Sequence, residues 1–223
     1  MINEHYSCYC QAMPTEKEKF DNNTTWREPV QARGKKRVAA ILDAARELVV
    51  ELGSTDLKMT ELARRAEIPV GSLYQFFPTR ASLLSRLFEI EMGPIDDALR
   101  KGLKHANSVD EIVRGVESLM KLTLKLVRQR PCLFVIWSSP ETNPVIRQAD
   151  FDNTKRNSAA LSKRISELAS ESINPKKVHA TSMLICHLWG AVVRLCITAD
   201  EEDYSDAILP EYVEMIQRHL RNL

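Results

Sequence analysis

Residues 58–80, KMTELARRAEIPVGSLYQFFPTR, decide how this chain is read. Met59, Leu62, Ala63 and Ala66 recur at i, i+3, i+4 and i+7, the spacing of one buried helical face. Ile68-Pro69 ends that helix. A residue before proline is pushed out of the α region, and proline has no N–H to continue the ladder. Val70 to Phe77 forms a second short helix, stopped by Pro78. Two short helices joined by a tight turn make a helix-turn-helix, whose second helix lies in the DNA major groove.

The residue types on that second helix suit such contact. Leu73 and Phe77 should point inward and hold it to the core. Gly71 has no side chain, so the helix start can approach a base edge or the backbone closely. Ser72 can donate to a phosphate or a base, Tyr74 carries a hydroxyl that reaches phosphate, and Gln75 suits bidentate reading of adenine. Val70 and Phe76 offer apolar contact to a thymine methyl group, although Phe76, beside Phe77, could equally belong to the core. Arg33, Lys35, Lys36 and Arg37 form a basic cluster before the first helix, suited to phosphate or minor groove or simply to water.

The run A-x-x-A-x-I-x-x-G-S-L-Y-x-F-F-x-x-R-x-x-L-L, from Ala63 to Leu84, resembles the DNA-binding domain of the TetR family of bacterial repressors. The likeness extends from about Arg33 to about Glu89. It implies that Lys58 and Thr60, near the start of the preceding helix, contact backbone and sometimes base, and that Arg80 acts as a phosphate clamp. Three positions depart from the usual family form. Glu67 stands where glycine is usual, Pro69 replaces a capping Ser or Thr, and Arg80 replaces a Lys, keeping the charge but changing its geometry.

Composition agrees with an all-α protein. Glycine is scarce, 7 in 223 residues, and 44% of the chain is hydrophobic, ordinary for a globular protein. The formal charge of +1 hides an asymmetry, since residues 27–86 carry a net +4 and the rest −3. A basic half is the footprint expected of a nucleic-acid site. No secretory h-region opens the chain and no apolar run is expected to reach the roughly 18 to 20 residues needed to cross a bilayer, so a cytoplasmic protein without membrane contact is expected. The five cysteines then read as free thiols. Cys8 and Cys10 lack a second Cys/His pair for a metal, and Cys186 and Cys196 read as small hydrophobes, with redox sensing as the alternative.

The chain divides into a polar, flexible tail (1–30), a three-helix helix-turn-helix domain (31–88) and a larger helical ligand-binding and dimerisation domain (89–223). In the small domain Val38, Ile41, Leu42, Ala45, Leu48, Val49 and Leu52 mark a first helix closed by Gly53. A connecting helix from Thr79 should break at Gly93-Pro94 and resume to His105. Helices follow over about 110–130, 144–170, 175–198 and 204–221, with a short buried apolar segment from Cys132 to Trp137.

The helix from Pro175 is apolar nearly all round and needs cover on several sides. The resemblance implies that the last two helices build a homodimer and that the dimer reads an inverted-repeat operator in double-stranded DNA. It also implies a pocket for a small hydrophobic or amphipathic inducer, with Met120, Phe134, Trp137, Phe151, Met183, His187 and Trp189 as candidate walls, each of which could instead be core. The function expected is a ligand-responsive transcriptional repressor with no cofactor. The alternatives are a DNA-binding helical protein without an inducer and an enzyme carrying a helix-turn-helix. The sequence holds no G-x-S-x-G, H-E-x-x-H or phosphate-loop motif to favour the enzyme.

Overall fold

A computed structural model describes residues 26–140, 142–169, 173–198 and 202–221. The expected 1–25 stretch of the tail, with Cys8 and Cys10, lies outside them. The described residues form nine helices and no strand: α1 Ala32–Leu52, α2 Met59–Arg65, α3 Val70–Phe76, α4 Arg80–His105, α5 Val109–Gln129, α6 Pro131–Ser138, α7 Pro144–Leu168, α8 Pro175–Thr198 and α9 Glu202–Arg221. The chain is all-α, as its composition predicts.

Helix α1 buries Val38, Ile41, Leu42, Ala45, Leu48 and Val49 on the predicted face. It ends at Gly53, which takes φ 58° and donates its N–H to the Val50 carbonyl at 3.2 Å. Leu62, Ala63, Leu73 and Phe77 are fully buried beneath α1 and α4. Residues 26–30 hold no helix and lie against this domain. Trp26 stacks on Phe77 with ring centroids 6.1 Å apart, the Arg86 guanidinium lies 4.3 Å from the centre of the Trp26 ring, and Arg27 donates its N–H to the Phe76 carbonyl at 2.9 Å.

Helix α4 does not break where Gly93-Pro94 predicts. It runs unbroken for 26 residues with Pro94 inside. Proline within a helix costs about 3 kcal/mol. Leu87, Phe88, Met92, Ile95 and Leu103 are all buried on the two sides of Pro94. Each contributes about 1.5–3 kcal/mol, so packing against α5 and α7 outweighs the lost hydrogen bond. Pro94 itself is exposed, on the side where its ring meets no neighbouring helix.

Two buried polar contacts join the small domain to the large one. Glu91 of α4, 1% exposed, accepts from Arg46 of α1 at 2.8 Å and pairs with Arg130, between α5 and α6, at 3.0 Å. Asn143 donates from Nδ2 to the Thr55 hydroxyl at 2.9 Å, while its Oδ1 accepts from the Val145 and Ile146 N–H groups and so caps α7.

In the large domain α8 packs between α7 and α9, and α4 and α5 close the bundle. Helix α8 corrects one expectation. By length and composition alone it is apolar enough to cross a bilayer. Its two sides differ, however. Val178, Ile185, Trp189, Val193 and Cys196 are buried in the bundle, while Leu184, Leu188 and Leu195 form one exposed stripe. His187 and Arg194 interrupt the apolar surface.

Candidate nucleic-acid interface and effector cavity

The turn between α2 and α3 fixes how the second helix is presented. Ile68 donates its N–H to the Ala63 carbonyl at 3.0 Å, and Glu67 donates to the Arg64 carbonyl at 3.2 Å. These are the paired 6→1 and 5→2 bonds of a Schellman motif. The pivot residue is Glu67, with φ 53°, the one non-glycine described residue in the left-handed region. Pro69 then starts α3 with no side-chain cap bond, as expected where it replaces a hydroxyl residue.

Burial divides α3 into two faces. Leu73 and Phe77 are at 0% exposure, whereas Val70 and Tyr74 are 39% and 44% exposed. Gly71 and Gln75 lie on the same outer stripe, with open space around Gly71. Ser72 is half-buried. Phe76 is half-buried too, and its ring comes within 3.9 Å of where a Cβ on Gly34 would stand. That ring therefore helps to hold α3 to α1. The same hypothetical Cβ would come within 2.8 Å of Pro29, so the returning arm needs glycine at position 34.

The basic residues surround this stripe. Arg33, Lys35 and Lys36 are exposed and Arg37 is half-buried. They occupy the first turns of α1 rather than preceding it, and no acidic residue shares the first turn. Cations there oppose the helix dipole, so the end of α1 concentrates positive potential that phosphate can relieve. Lys58 and Thr60 are exposed at the start of α2. Arg80 is exposed as the first residue of α4, and among the described residues it pairs with Asp56 at 3.3 Å. A pair this exposed is weak and exchangeable. The Thr79–Ser82 capping box holds the backbone beneath Arg80. The arm residue Trp26 was not singled out in the sequence. A lone tryptophan in a polar stretch was the available signal.

The large domain holds a partly open cavity, narrow inside, with about 630 Å³ of empty space when the open solvent at its mouth is included. Helix α4 contributes Met92, Ile95 and Leu99 to its wall, α5 Val116 and Leu119, and α6 Trp137. Helix α7 contributes Asp150, Asn153, Thr154, Asn157 and Leu161, and α8 contributes His187, Trp189 and Gly190. Three of the seven candidate wall residues, Trp137, His187 and Trp189, line it. The other four do not. Met120 is fully buried in the core, and Phe134 and Phe151 are 39% and 44% exposed on the outside. Phe151 carries the Lys155 ammonium 4.8 Å above its ring. The Met183 sulfur accepts the Ser158 hydroxyl at 2.9 Å, which serves α7–α8 packing.

The polar wall on α7 was not foreseen. Asp150, Asn153, Thr154 and Asn157 follow helical spacing, so the inward stripe of α7 is polar where a core stripe would be apolar. That pattern was the missed signal. Buried Asp96 accepts from Asn153 at 3.2 Å and Asn157 at 2.9 Å, tying α4 to α7 at the cavity wall. Burial pushes the Asp150 carboxyl up, against the opposing charges of Arg194 and His187. Among the described residues, Trp137 Nε1, Trp189 Nε1 and Arg194 Nη1 in this region are buried donors with no acceptor.

Comparison with known proteins places both halves. Residues 41–87 match the family described as bacterial regulatory proteins, tetR family. Residues 110–223 match the tetracyclin repressor-like C-terminal domain. No curated protein matches significantly in sequence. Among solved structures, a TetR-family transcriptional regulator from Streptomyces coelicolor is similar at TM-score 0.61 and 20% identity, over 83% of this chain and 98% of that one. FadR from Bacillus subtilis in complex with stearoyl-CoA gives 0.62 and 20%, over 80% and 97%. RolR with its ligand resorcinol gives 0.54 and 13%, over 85% and 93%.

Proposed function

Because the chain belongs to the TetR family of bacterial regulatory proteins, we propose that it is a ligand-responsive transcriptional repressor whose operator grip is released when a small molecule enters the large-domain cavity. The observation that carries this reading is that one helix, α4, bears Arg80 at its DNA end and Met92, Ile95 and Leu99 in the cavity wall. A ligand that favours a different position of α4 shifts the population away from the DNA-competent form. The Glu91 contacts to Arg46 and Arg130 carry the same displacement to α1. Similar folds holding stearoyl-CoA and resorcinol support an effector role for such a cavity.

The protein acts as a homodimer in the cytoplasm. Leu184, Leu188 and Leu195 of α8 and Met215 of α9, apolar side chains on the last two helices, are between 40% and 62% exposed. A second copy of the chain covers them across a two-fold axis. Two recognition helices then meet an inverted repeat with half-sites spaced about one turn, roughly 34 Å, or a multiple of it. Gly71, Tyr74 and Gln75 read or approach bases, Arg80 and the α1 cations hold phosphates, and Lys58 and Thr60 flank them.

The test is a salt series of binding to inverted-repeat duplexes selected from random sequence. Arg80→Ala should weaken binding across sequences and lower the salt slope by about 1. Tyr74→Phe should weaken binding while the dimer stays folded. Leu188→Asp should yield monomers with poor operator affinity. Unchanged affinity in both Tyr74→Phe and Arg80→Ala at matched salt would remove these residues from the interface.

A further inference from the structure

We propose that the cavity is built for a small carboxylate with an apolar body, its oxygen seated in the gap at Gly190 between the Trp137 indole N–H and the Arg194 guanidinium. This rests on the sensor reading and narrows it to a ligand class. Trp137 is 3% exposed and lines the cavity, yet its Nε1 has no acceptor. Arg194 Nη1 is likewise buried without one. A buried donor left unpaired costs free energy, so two of them beside one gap call for an acceptor from outside the chain.

Gly190 locates the gap. A Cβ built there would stand 3.3 Å from Arg194 Nη1 and 3.5 Å from Trp137 Nε1, with no other side chain nearer. Both donors therefore border the space that the missing side chain leaves. Guanidinium with carboxylate is among the stronger charge-assisted pairings, and an indole N–H adds a second donor. Opposite the polar α7 stripe, Met92, Ile95, Leu119 and Ile185 supply apolar wall that suits an aryl or alkyl body. Asp150 is the acid that faces the same space. Burial pushes its carboxyl up, and the charges of Arg194 and His187 oppose that shift, so an incoming anion shares Arg194 with it.

The test uses the full-length protein and calorimetric titration with benzoate, phenylacetate and octanoate, each against its methyl ester, with benzylamine as the cation. Acids should bind and their esters and the amine should not. Trp137→Phe keeps the ring and deletes the donor, and should weaken acid binding by about ten-fold or more. Arg194→Gln should do the same. Gly190→Ala puts a Cβ in the gap, 3.3 Å from Arg194 Nη1, and a wild-type melting temperature in this variant separates loss of binding from unfolding. Phe151→Ala, outside the cavity, should bind as wild type does. Esters or benzylamine binding as tightly as acids, wild-type affinity in Trp137→Phe and Gly190→Ala, or no acid saturating at millimolar concentration would each overturn the inference. The sensor reading falls separately. If acids bind with this donor dependence but leave operator binding untouched, the cavity is as inferred and the switch is not. If an ester or amine releases the operator, the switch stands and the carboxylate assignment falls.

Discussion

Glu67 offers a sharp thermodynamic test. Its φ of 53° puts a side-chain-bearing residue in the pivot position of the Schellman turn between α2 and α3. An L-residue there costs about 1–2 kcal/mol, because Cβ crowds the following carbonyl. Its side chain is exposed and, among the described residues, makes no hydrogen bond that would offset this. Glu67→Gly removes the strain but loosens the unfolded chain by about 0.5–1 kcal/mol. The net is a stabilisation of about 0.5–1 kcal/mol, which for a chain of this size raises Tm by about 1–4 °C. Thermal unfolding followed by circular dichroism, at one fixed protein concentration because the dimer couples to folding, measures it. Glu67→Ala is the control, since it removes the same charge but keeps a Cβ. Gly53→Ala should move the other way, because Gly53 holds φ 58° with open space around it. If Glu67→Gly left Tm unchanged or lowered it, or if Glu67→Ala stabilised as much, the strain argument would be refuted and charge would be the better account.

Glu91→Gln should destabilise by about 1–3 kcal/mol in denaturant titration. Removing one partner of a buried ion pair is costly, but Arg46 and Arg130 keep about a third of their surface in water, which limits the penalty. Trp26→Ala should lower stability by about 1–3 kcal/mol and loosen the arm, seen as faster amide exchange at Arg27; protection equal to wild type would show that the ring is not what pins it. Burial pushes the Cys132 and Cys186 thiols up to about 12, so site-resolved alkylation at pH 8 should be slow at both in the native protein and fast once unfolded. Their raised values also mean that stability is fully present below the ordinary thiol value of about 9 and falls as pH rises from there toward 12.

The small domain was readable because its information is local. The spacing of Val38, Ile41, Leu42, Ala45, Leu48 and Val49 specifies one buried face, and Pro69 and Pro78 bracket α3 without help from the rest of the fold. Trp26 was not readable, because its partners Phe77 and Arg86 are about 50–60 residues away in the chain. The break expected at Gly93-Pro94 failed because local propensity there competes with tertiary burial that no short window displays. The cavity was half readable. Large aromatic residues drew notice, and Trp137 and Trp189 are in the wall. The Asp150–Asn157 stripe was overlooked because polar residues at helical spacing look like a solvated face until the opposite helix is known. Met120 and Phe134 show the converse, since size and polarizability do not say which side of a helix faces a void.

The unbroken course of α4 has a mechanical consequence. Had Gly93-Pro94 formed a joint, a disturbance at the cavity would be absorbed there as bending. A continuous helix is a stiff rod, and from the Ile95 turn to Arg80 it spans about 20 Å at 1.5 Å per residue. Over that span a tilt of only about 5° carries the guanidinium about 2 Å, beyond the reach of a direct hydrogen bond to a fixed phosphate.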